Sequence, residues 1–246
     1  MKKNLRKRIV SVVLLGVLLV SLGLFAGYVD SYYRAAPEAL AATVSDGTVT
    51  VTEQDGTLVF TTENPVAGLV FYPGGKVQVE AYAPLLRAIA ERGVLCVLVQ
   101  MPCNLAVLNG DAADAVIARH PELSDWYIGG HSLGGSMAAL YAAKHASDVD
   151  GLILLAAYST ADLKGSGLSV LSLYGDTDGV MRRERYEQCR TNLPADAVEL
   201  VIAGGNHAGF GCYGAQAGDG AATISAIEQQ AIAADAIAQM ISEGGK

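Results

Sequence analysis

A serine in a glycine-rich turn is the residue of this sequence best suited to covalent chemistry. Ser132 is the middle of a Gly-His-Ser-Leu-Gly motif at residues 130–134, which follows the apolar run 126–129 and precedes an alanine-rich, helix-forming run. A strand, a sharp turn and a helix in this order strain the central residue and require small neighbours, so that its hydroxyl projects from the strand's carboxyl end. The motif therefore predicts a nucleophilic serine, with a plain glycine-rich turn as the alternative.

A serine hydroxyl is a weak nucleophile until a base takes its proton, and histidine is the usual base. His207 follows an apolar run and lies in the glycine-rich segment 204–207. The other three histidines fit the role less well, because His120 and His145 close predicted helices and His131 lies inside the serine motif itself. We therefore predict His207 as the base.

The base needs an acid that fixes its tautomer. Asp176 and Asp178 both lie just past the apolar run 169–174. Asp178 is better placed, since it is three residues beyond Gly175 and the longer loop lets its carboxylate swing towards an imidazole. Asp176 is interpreted as a residue that caps the turn.

Two backbone N–H groups are needed to bind the oxyanion that forms when a serine attacks a carbonyl. Leu133, directly after the serine, supplies one N–H group. For the other we choose Gly75, in the Pro-Gly-Gly segment 73–75 after the apolar run 67–72. A phosphate-binding loop is the alternative for this segment, but it has no Walker pattern.

Further side chains are expected at the same edge of the sheet, where they would contact substrate. Only twelve residues, 157–168, join two of the apolar runs, which is too few for an inserted helical lid, so the site is expected to be open. For Lys76 and Glu80, solvation at a helix start is an equal alternative. The candidate substrate contacts are Lys76, Glu80, Asn104, Tyr158 and Phe210.

The elements that must position these residues alternate between apolar strands and helices. Strands that are apolar on both faces and are separated by helices predict a mostly parallel sheet with helices on both faces. Residues 48–53 and 57–62 flank an Asp-Gly turn and predict an N-terminal β-hairpin. The predicted fold is α/β, without a lid domain, and polar segments fall at the carboxyl ends of strands, where such sheets bind ligands.

The chain begins with a basic segment followed by an uncharged one. Residues 1–8 carry five basic side chains, and residues 9–26 have no charge and would span about 27 Å as a helix. We predict a cytoplasmic segment at 1–8, a transmembrane signal anchor at 9–28, a tether at 29–43 and an extracytoplasmic domain at 44–246. The alternative is a secreted protein, cut near Ala35 and Ala36 or within residues 39–42.

Charge and cysteine content limit the partners. After the basic segment, 12 basic residues remain against 25 acidic ones, which disfavours nucleic-acid binding. The four cysteines lack metal-ligand spacing, and no metal or cofactor is predicted. A disulfide between Cys103 and Cys212, which both follow strand ends, is one possible pairing in an oxidising compartment.

Four segments together resemble the α/β-hydrolase superfamily: residues 72–77, 130–135, 175–179 and 204–207. Over residues 44–246 the chain is similar in particular to the compact bacterial branch near the dienelactone-hydrolase and carboxylesterase-like members. The resemblance implies Ser132 as nucleophile, Asp178 as acid and His207 as base, in the superfamily's chain order. Two departures stand out: Pro-Gly replaces the common His-Gly of the oxyanion loop, and dienelactone hydrolases use a cysteine nucleophile.

The sequence thus favours a serine hydrolase that cleaves a small-molecule ester, or a thioester or amide, through an acyl-enzyme. Two alternatives remain open at this point. One is a membrane-anchored binding protein of the same fold without catalysis, which would need no ordered set of serine, acid and histidine. The other is an acyltransferase on acceptors of the cell envelope, which would share the nucleophile.

Overall fold

The protein is described by a computed structural model that covers residues 2–244, with side chains from residue 6 onward. The chain forms two compact units, one ending at Tyr32 and the other beginning at Tyr33.

The first unit is a single helix, α1, at Lys2–Asp30. Within Arg6–Asp30, the most apolar stretch of 18 residues has a mean hydropathy of 2.8 and contains no buried residue. At 1.5 Å per residue the 25 residues of Arg6–Asp30 reach about 37 Å, which exceeds the thickness of a bilayer's hydrocarbon core. By length and composition, α1 could serve as a membrane anchor or a signal sequence.

The second unit is built on one sheet of eight strands in the order β1-β2-β4-β3-β5-β6-β7-β8. The β1–β2 and β2–β4 pairs are antiparallel, and every other pair is parallel. The strands are β1 Thr50–Gln54, β2 Thr57–Thr61, β3 Ala67–Tyr72, β4 Val94–Val99, β5 Trp126–His131, β6 Gly151–Leu155, β7 Ser169–Gly175 and β8 Val198–Ile202. The predicted hairpin and mostly parallel sheet are confirmed.

Six helices follow α1: α2 Pro37–Ala41, α3 Ala83–Ala90, α4 Ala112–Arg119, α5 Leu133–Lys144, α6 Arg183–Arg190 and α7 Ala226–Gly244. The central strands alternate between two cores, as β3 illustrates. Leu69 and Phe71 belong to the core that α3 and α7 cover, whereas Val70 and Tyr72 belong to the core that α4 and α5 cover. Because these strands bury apolar side chains on both faces, their sequences are continuous apolar runs.

Two helix boundaries differ from those that the sequence predicts, since its apolar spacing predicts helices at about residues 79–92 and 222–242. The run 79–92 forms a 3₁₀ turn at Val79–Tyr82 and then α3, because Pro84 lies in the first turn of α3 and cannot donate a hydrogen bond to the turn before it. The last helix begins at Ala226 rather than near residue 222. There the Ser225 hydroxyl accepts from Glu228 N–H while the Glu228 carboxylate accepts from Ser225 N–H, which is a capping box.

The segment predicted as a tether belongs partly to the folded unit. Tyr33 forms a parallel β-bridge with Val77, and Ala39 in α2 is fully buried. The folded unit therefore begins at Tyr33 instead of residue 44. Short polar-apolar mixtures such as this one carry no periodicity, so the sequence did not reveal the pairing.

Candidate active site

Ser132 lies at the carboxyl end of β5, in a strained turn that leads into α5. Its φ and ψ are 52° and −119°, a conformation that costs a non-glycine residue on the order of 1–3 kcal/mol. The turn depends on glycines, since a Cβ on Gly134 would lie 2.2 Å from the Tyr72 carbonyl oxygen and one on Gly130 would lie 2.6 Å from Gly134. Ser132 itself is half-buried, so its hydroxyl can be reached from solvent.

Asp178 and His207 meet across the ends of β7 and β8. The Asp178 Oδ2 atom lies 2.9 Å from His207 Nδ1, with the two side chains 1% and 2% exposed. The Asp178 Oδ1 atom accepts hydrogen bonds of 2.8 Å from the N–H groups of Val180 and Met181. Burial alone would raise the pKa of Asp178, but the hydrogen bond and charge of His207, with these two amides, outweigh burial and hold the pKa below its usual value.

The pairing with Asp178 sets the tautomer of His207. An ionised carboxylate only accepts, so Nδ1 carries the proton and Nε2 presents a lone pair. Within the described part of the chain, His207 Nε2 is buried without a hydrogen-bond partner. The bond between Ser132 Oγ and His207 Nε2 is thus not formed in this structure; such bonds are often long in enzymes without substrate and tighten on binding.

Asp219, which the sequence did not single out, links the two loops that carry Asp178 and His207. Its carboxylate accepts from the N–H groups of His207 at 3.2 Å, Ala208 at 2.8 Å, Gly179 at 3.1 Å and Gly220 at 2.8 Å. One side chain therefore fixes the loop after β7 to the loop after β8. Its place between two glycines, at residues 218–220, was the only signal that it shapes a loop.

The loop after β3 lies against the start of α5. A Cβ on Gly75 would lie 2.8 Å from the side chain of Leu133, which shows how closely these residues approach. The neighbouring amides are occupied, since Gly74 N–H donates to a tyrosine hydroxyl and Lys76 N–H donates to the Asn104 carbonyl at 2.8 Å. Gly75 N–H makes no hydrogen bond to described residues, and Leu133 N–H, in the first turn of α5, has no partner within the helix.

His131 is buried next to these groups and takes part in a hydrogen-bond chain. Gly74 N–H donates to Tyr82 Oη at 3.0 Å, and the same hydroxyl is hydrogen-bonded to His131 Nδ1 at 2.8 Å. The His131 ring lies 4.6 Å from the His207 ring, between centroids. Burial, with the nearby His207, lowers the pKa of His131 well below its usual value, so the ring is neutral. The sequence indicated only that His131 packs beside the serine.

The predicted substrate contacts have different surroundings. Lys76 and Asn104 have φ values of 60° and 54° and are joined by a backbone hydrogen bond, so their loops are held in unusual conformations. Glu80 has a carboxylate oxygen that is buried without a partner among described residues. Tyr158 is half-buried, and its carbonyl accepts from the Ser136 hydroxyl. Phe210 is fully buried, and its ring centroid lies 5.8 Å from that of His131. It therefore packs against the site and is not open to substrate.

The cysteine prediction differs from the structure. Cys103 is exposed, while Cys212 is buried and its sulfur lies 3.4 Å from the Gln230 amide nitrogen. All four cysteines are free, and the disulfide suggested between Cys103 and Cys212 is absent. Among the residues that the structure describes, there is also no group of three or more His, Cys, Asp or Glu side chains placed to hold a metal ion.

The sheet, the strained serine turn and the buried pair of acid and histidine define a class of α/β enzymes that act from the carboxyl edge of the sheet. Residues 68–231 match the alpha/beta hydrolase family, and the chain belongs to this family. No curated protein matches the sequence.

Solved structures similar to this chain share the fold at low sequence identity. A predicted CIB-like hydrolase from Thermoplasma acidophilum has a TM-score of 0.57 at 14% identity and covers 78% of this chain and 100% of its own. TT1662 from Thermus thermophilus has a TM-score of 0.59 at 17% identity, with 80% and 98% covered. Est1E from Butyrivibrio proteoclasticus has a TM-score of 0.57 at 15% identity, with 80% and 99% covered.

Proposed function

We propose that this protein is a serine hydrolase that cleaves a small carboxylic ester, thioester or amide through an acyl-enzyme. The observation that carries the proposal is the buried Asp178–His207 pair, 2.9 Å apart on one sheet edge with the strained Ser132 turn. Asp178 holds the ring of His207 through Nδ1, and the opposite nitrogen, Nε2, is buried without a partner among the described residues. That nitrogen is suited to take a proton from a hydroxyl.

In the proposed reaction, His207 Nε2 takes the proton of Ser132 Oγ as the oxygen attacks the carbonyl carbon of the substrate. The carbonyl oxygen becomes an oxyanion, which the N–H groups of Gly75 and Leu133 stabilise. The imidazolium, balanced by Asp178, then gives its proton to the leaving alcohol, thiol or amine, and the acyl group stays on Ser132. A water molecule repeats these steps and releases the acid.

The structure supports a site with an open entrance. The connection between β6 and β7, residues 156–168, contains no helix or strand that could form a lid. We propose that Lys76, Glu80, Asn104 and Tyr158 contact substrate, because they lie on the loops that follow β3, β4 and β6 at this edge. Lys76 supplies a positive charge, Glu80 a negative charge, Asn104 an amide and Tyr158 a phenol. Such a set suits a substrate with polar groups near the scissile bond.

The proposal is tested with a fluorophosphonate probe on the full chain in detergent. We expect covalent labelling of Ser132, and no labelling in Ser132→Ala. Ester turnover should fall by at least about a thousandfold in Ser132→Ala and His207→Ala. Ser147→Ala, at an exposed serine paired with Asp148, is the matched control and should keep full activity. A folded parent protein that does not react would instead favour a non-catalytic binding protein.

We also propose that α1 is an uncleaved, single-pass anchor, with the N-terminus in the cytoplasm and the hydrolase domain outside. Supporting this orientation, five basic residues precede the apolar segment and the first acidic residue is Asp30. Release after signal cleavage is the alternative.

A further inference from the structure

The segment that follows α1 binds the loop that carries the proposed oxyanion donor. Residues 33–36, which we name the clasp, are separated from α1 by two residues. Tyr33 N–H donates to the Lys76 carbonyl at 2.8 Å, and the Tyr33 carbonyl accepts from Gln78 N–H at 2.8 Å. These bonds lie on either side of Val77 and form an additional strand-like pairing with the loop after β3.

The clasp also makes contacts through its other residues. Ala35 N–H donates to the Gln78 side-chain oxygen at 3.0 Å, and Ala36 N–H donates to the Cys212 carbonyl at 2.8 Å. The Tyr33 hydroxyl accepts from Ala217 N–H at 3.2 Å. Hydrogen bonds to two separate loops show that the clasp is a fixed part of the domain.

The segment after β3, residues 73–76, carries the proposed donor Gly75, and we name it the oxyanion loop. It needs such support because its backbone is strained. Lys76 has a φ of 60°, which a residue with a side chain keeps only where its surroundings fix it. Its N–H is held by the Asn104 carbonyl, and its own carbonyl is held by Tyr33. If Tyr33 were absent, the peptide between Lys76 and Val77 would lose this bond and could turn, and the strained Lys76 that follows Gly75 would be held less firmly.

A second path leads from the clasp to the same loop through aromatic rings. The Tyr33 ring lies 5.5 Å from that of Tyr213, which lies 6.4 Å from that of Tyr82, between centroids. The Tyr82 hydroxyl accepts the N–H of Gly74, directly before the proposed donor Gly75. Both paths therefore end at the residues that orient the Gly75 amide.

We propose that the clasp positions the oxyanion loop, so that the active protein keeps residues 33–36 and is not cut within or after them. This inference rests on the proposed function, since it concerns the Gly75 amide as an oxyanion donor. The cleavage sites considered from the sequence, near Ala35 and Ala36 or within residues 39–42, would all sever Tyr33 from the domain. A signal peptidase acting there would remove a part of the active site.

The test uses the full chain in detergent with Tyr33→Pro, which removes the N–H that binds Lys76, and Gln78→Ala, which removes the oxygen that binds Ala35. We expect kcat for a p-nitrophenyl ester to fall by about tenfold or more in Tyr33→Pro, and by less in Gln78→Ala. KM should change by less than about twofold in both variants, because the oxyanion forms only in the transition state. The pH profile should be unchanged, because the Asp178–His207 pair is untouched.

Two controls separate positioning from general destabilisation. Gln78→Glu keeps an oxygen acceptor for Ala35 and should restore kcat, whereas Gln239→Ala, a matched change at an exposed residue of α7, should have no effect. Loss of activity in Gln78→Glu equal to that in Gln78→Ala, or a KM effect without a kcat effect, would overturn the proposal.

Hydrogen exchange keeps the clasp testable even if the protein proves not to be a hydrolase. Amides of residues 74–78 should exchange at least about tenfold faster in Tyr33→Pro, and in Gln78→Ala if the proline variant does not fold. Unchanged exchange refutes the clasp, whereas a parent protein inert to the fluorophosphonate probe refutes only the hydrolase.

Mass analysis of protein purified from membranes should find residues before Tyr33, and a fully active form that begins at residue 36 or later would contradict the inference.

Discussion

At the scale of single residues, the site is a set of polar groups whose partners fix their protonation. Asp178 accepts from three donors, His131 Nδ1 is hydrogen-bonded to the Tyr82 hydroxyl, and His207 Nε2 has no partner among the described residues. One nitrogen of each imidazole is therefore held by a protein group, so few orientations remain for the two rings. This arrangement favours a site that is organised before substrate arrives.

The lowered pKa of Asp178 links stability to pH. A carboxyl whose folded pKa lies below its unfolded value, about 3.9, stabilises the fold above that value and loses this contribution as pH falls through the folded pKa. In Asp178→Asn we expect the melting temperature to fall less steeply below about pH 4 than in the parent. Thermal unfolding followed by circular dichroism from pH 5 to pH 2.5 measures this.

The matched control is Asp176→Asn, at an exposed carboxylate that accepts from Gly204 N–H, a bond that an asparagine oxygen can keep. Below about pH 4, the melting temperature of Asp176→Asn should fall as steeply with decreasing pH as that of the parent. If the melting temperatures of the parent and Asp178→Asn fell equally steeply below about pH 4, the lowered pKa that we attribute to the pairing of Asp178 with His207 would be contradicted.

At the scale of elements, the turn between β5 and α5 is the most constrained part of the site. A Cβ on Gly134 would meet the carbonyl oxygens of Tyr72 and Pro73 at 2.2 and 2.3 Å, and both are backbone atoms that cannot move alone. Gly134→Ala should therefore lower the free energy of unfolding by at least about 2 kcal/mol, as overpacking does. Gly165→Ala, where the added carbon meets nothing within 4 Å, should change it by less than about 0.5 kcal/mol.

Chemical denaturation of both variants measures the difference. Equal stabilities would mean that β3 and α5 can separate without cost, in contrast to the close approach that the glycines permit.

Elements with strong local signals could be predicted from the sequence. The apolar strands, the Asp-Gly hairpin and the serine turn depend on local patterns, so the family and the mostly parallel sheet followed from them. The contacts of Asp219 with Gly179 and of Tyr82 with His131 could not be predicted, because they join residues 40 and 49 positions apart that no local pattern connects. The Ser225–Glu228 capping box did have a sequence signature that would have corrected the start of α7.

At the scale of the whole molecule, charge is distributed unevenly along the chain. The five basic residues at the start of α1 and the net acidic domain after it give the two ends of the apolar segment opposite charge. This asymmetry underlies the proposed orientation, in which the first residues stay in the cytoplasm.

The chain's own lysines can test this orientation. A membrane-impermeant amine reagent applied to spheroplasts should label Lys144 and Lys164, whose side chains are 66% and 59% exposed, but should not label Lys2, Lys3 or Lys7. Permeabilised membranes should show labelling at all five. The reverse pattern would place the domain in the cytoplasm, and recovery of the protein in the medium would indicate release.

The short connection between β6 and β7 has a kinetic consequence for the proposed enzyme. Because this connection holds no helix or strand that could close over the substrate, we expect bulk water to reach the acylated serine throughout its lifetime. We also expect that long or branched acyl chains can extend past the rim into solvent without a rearrangement of this connection.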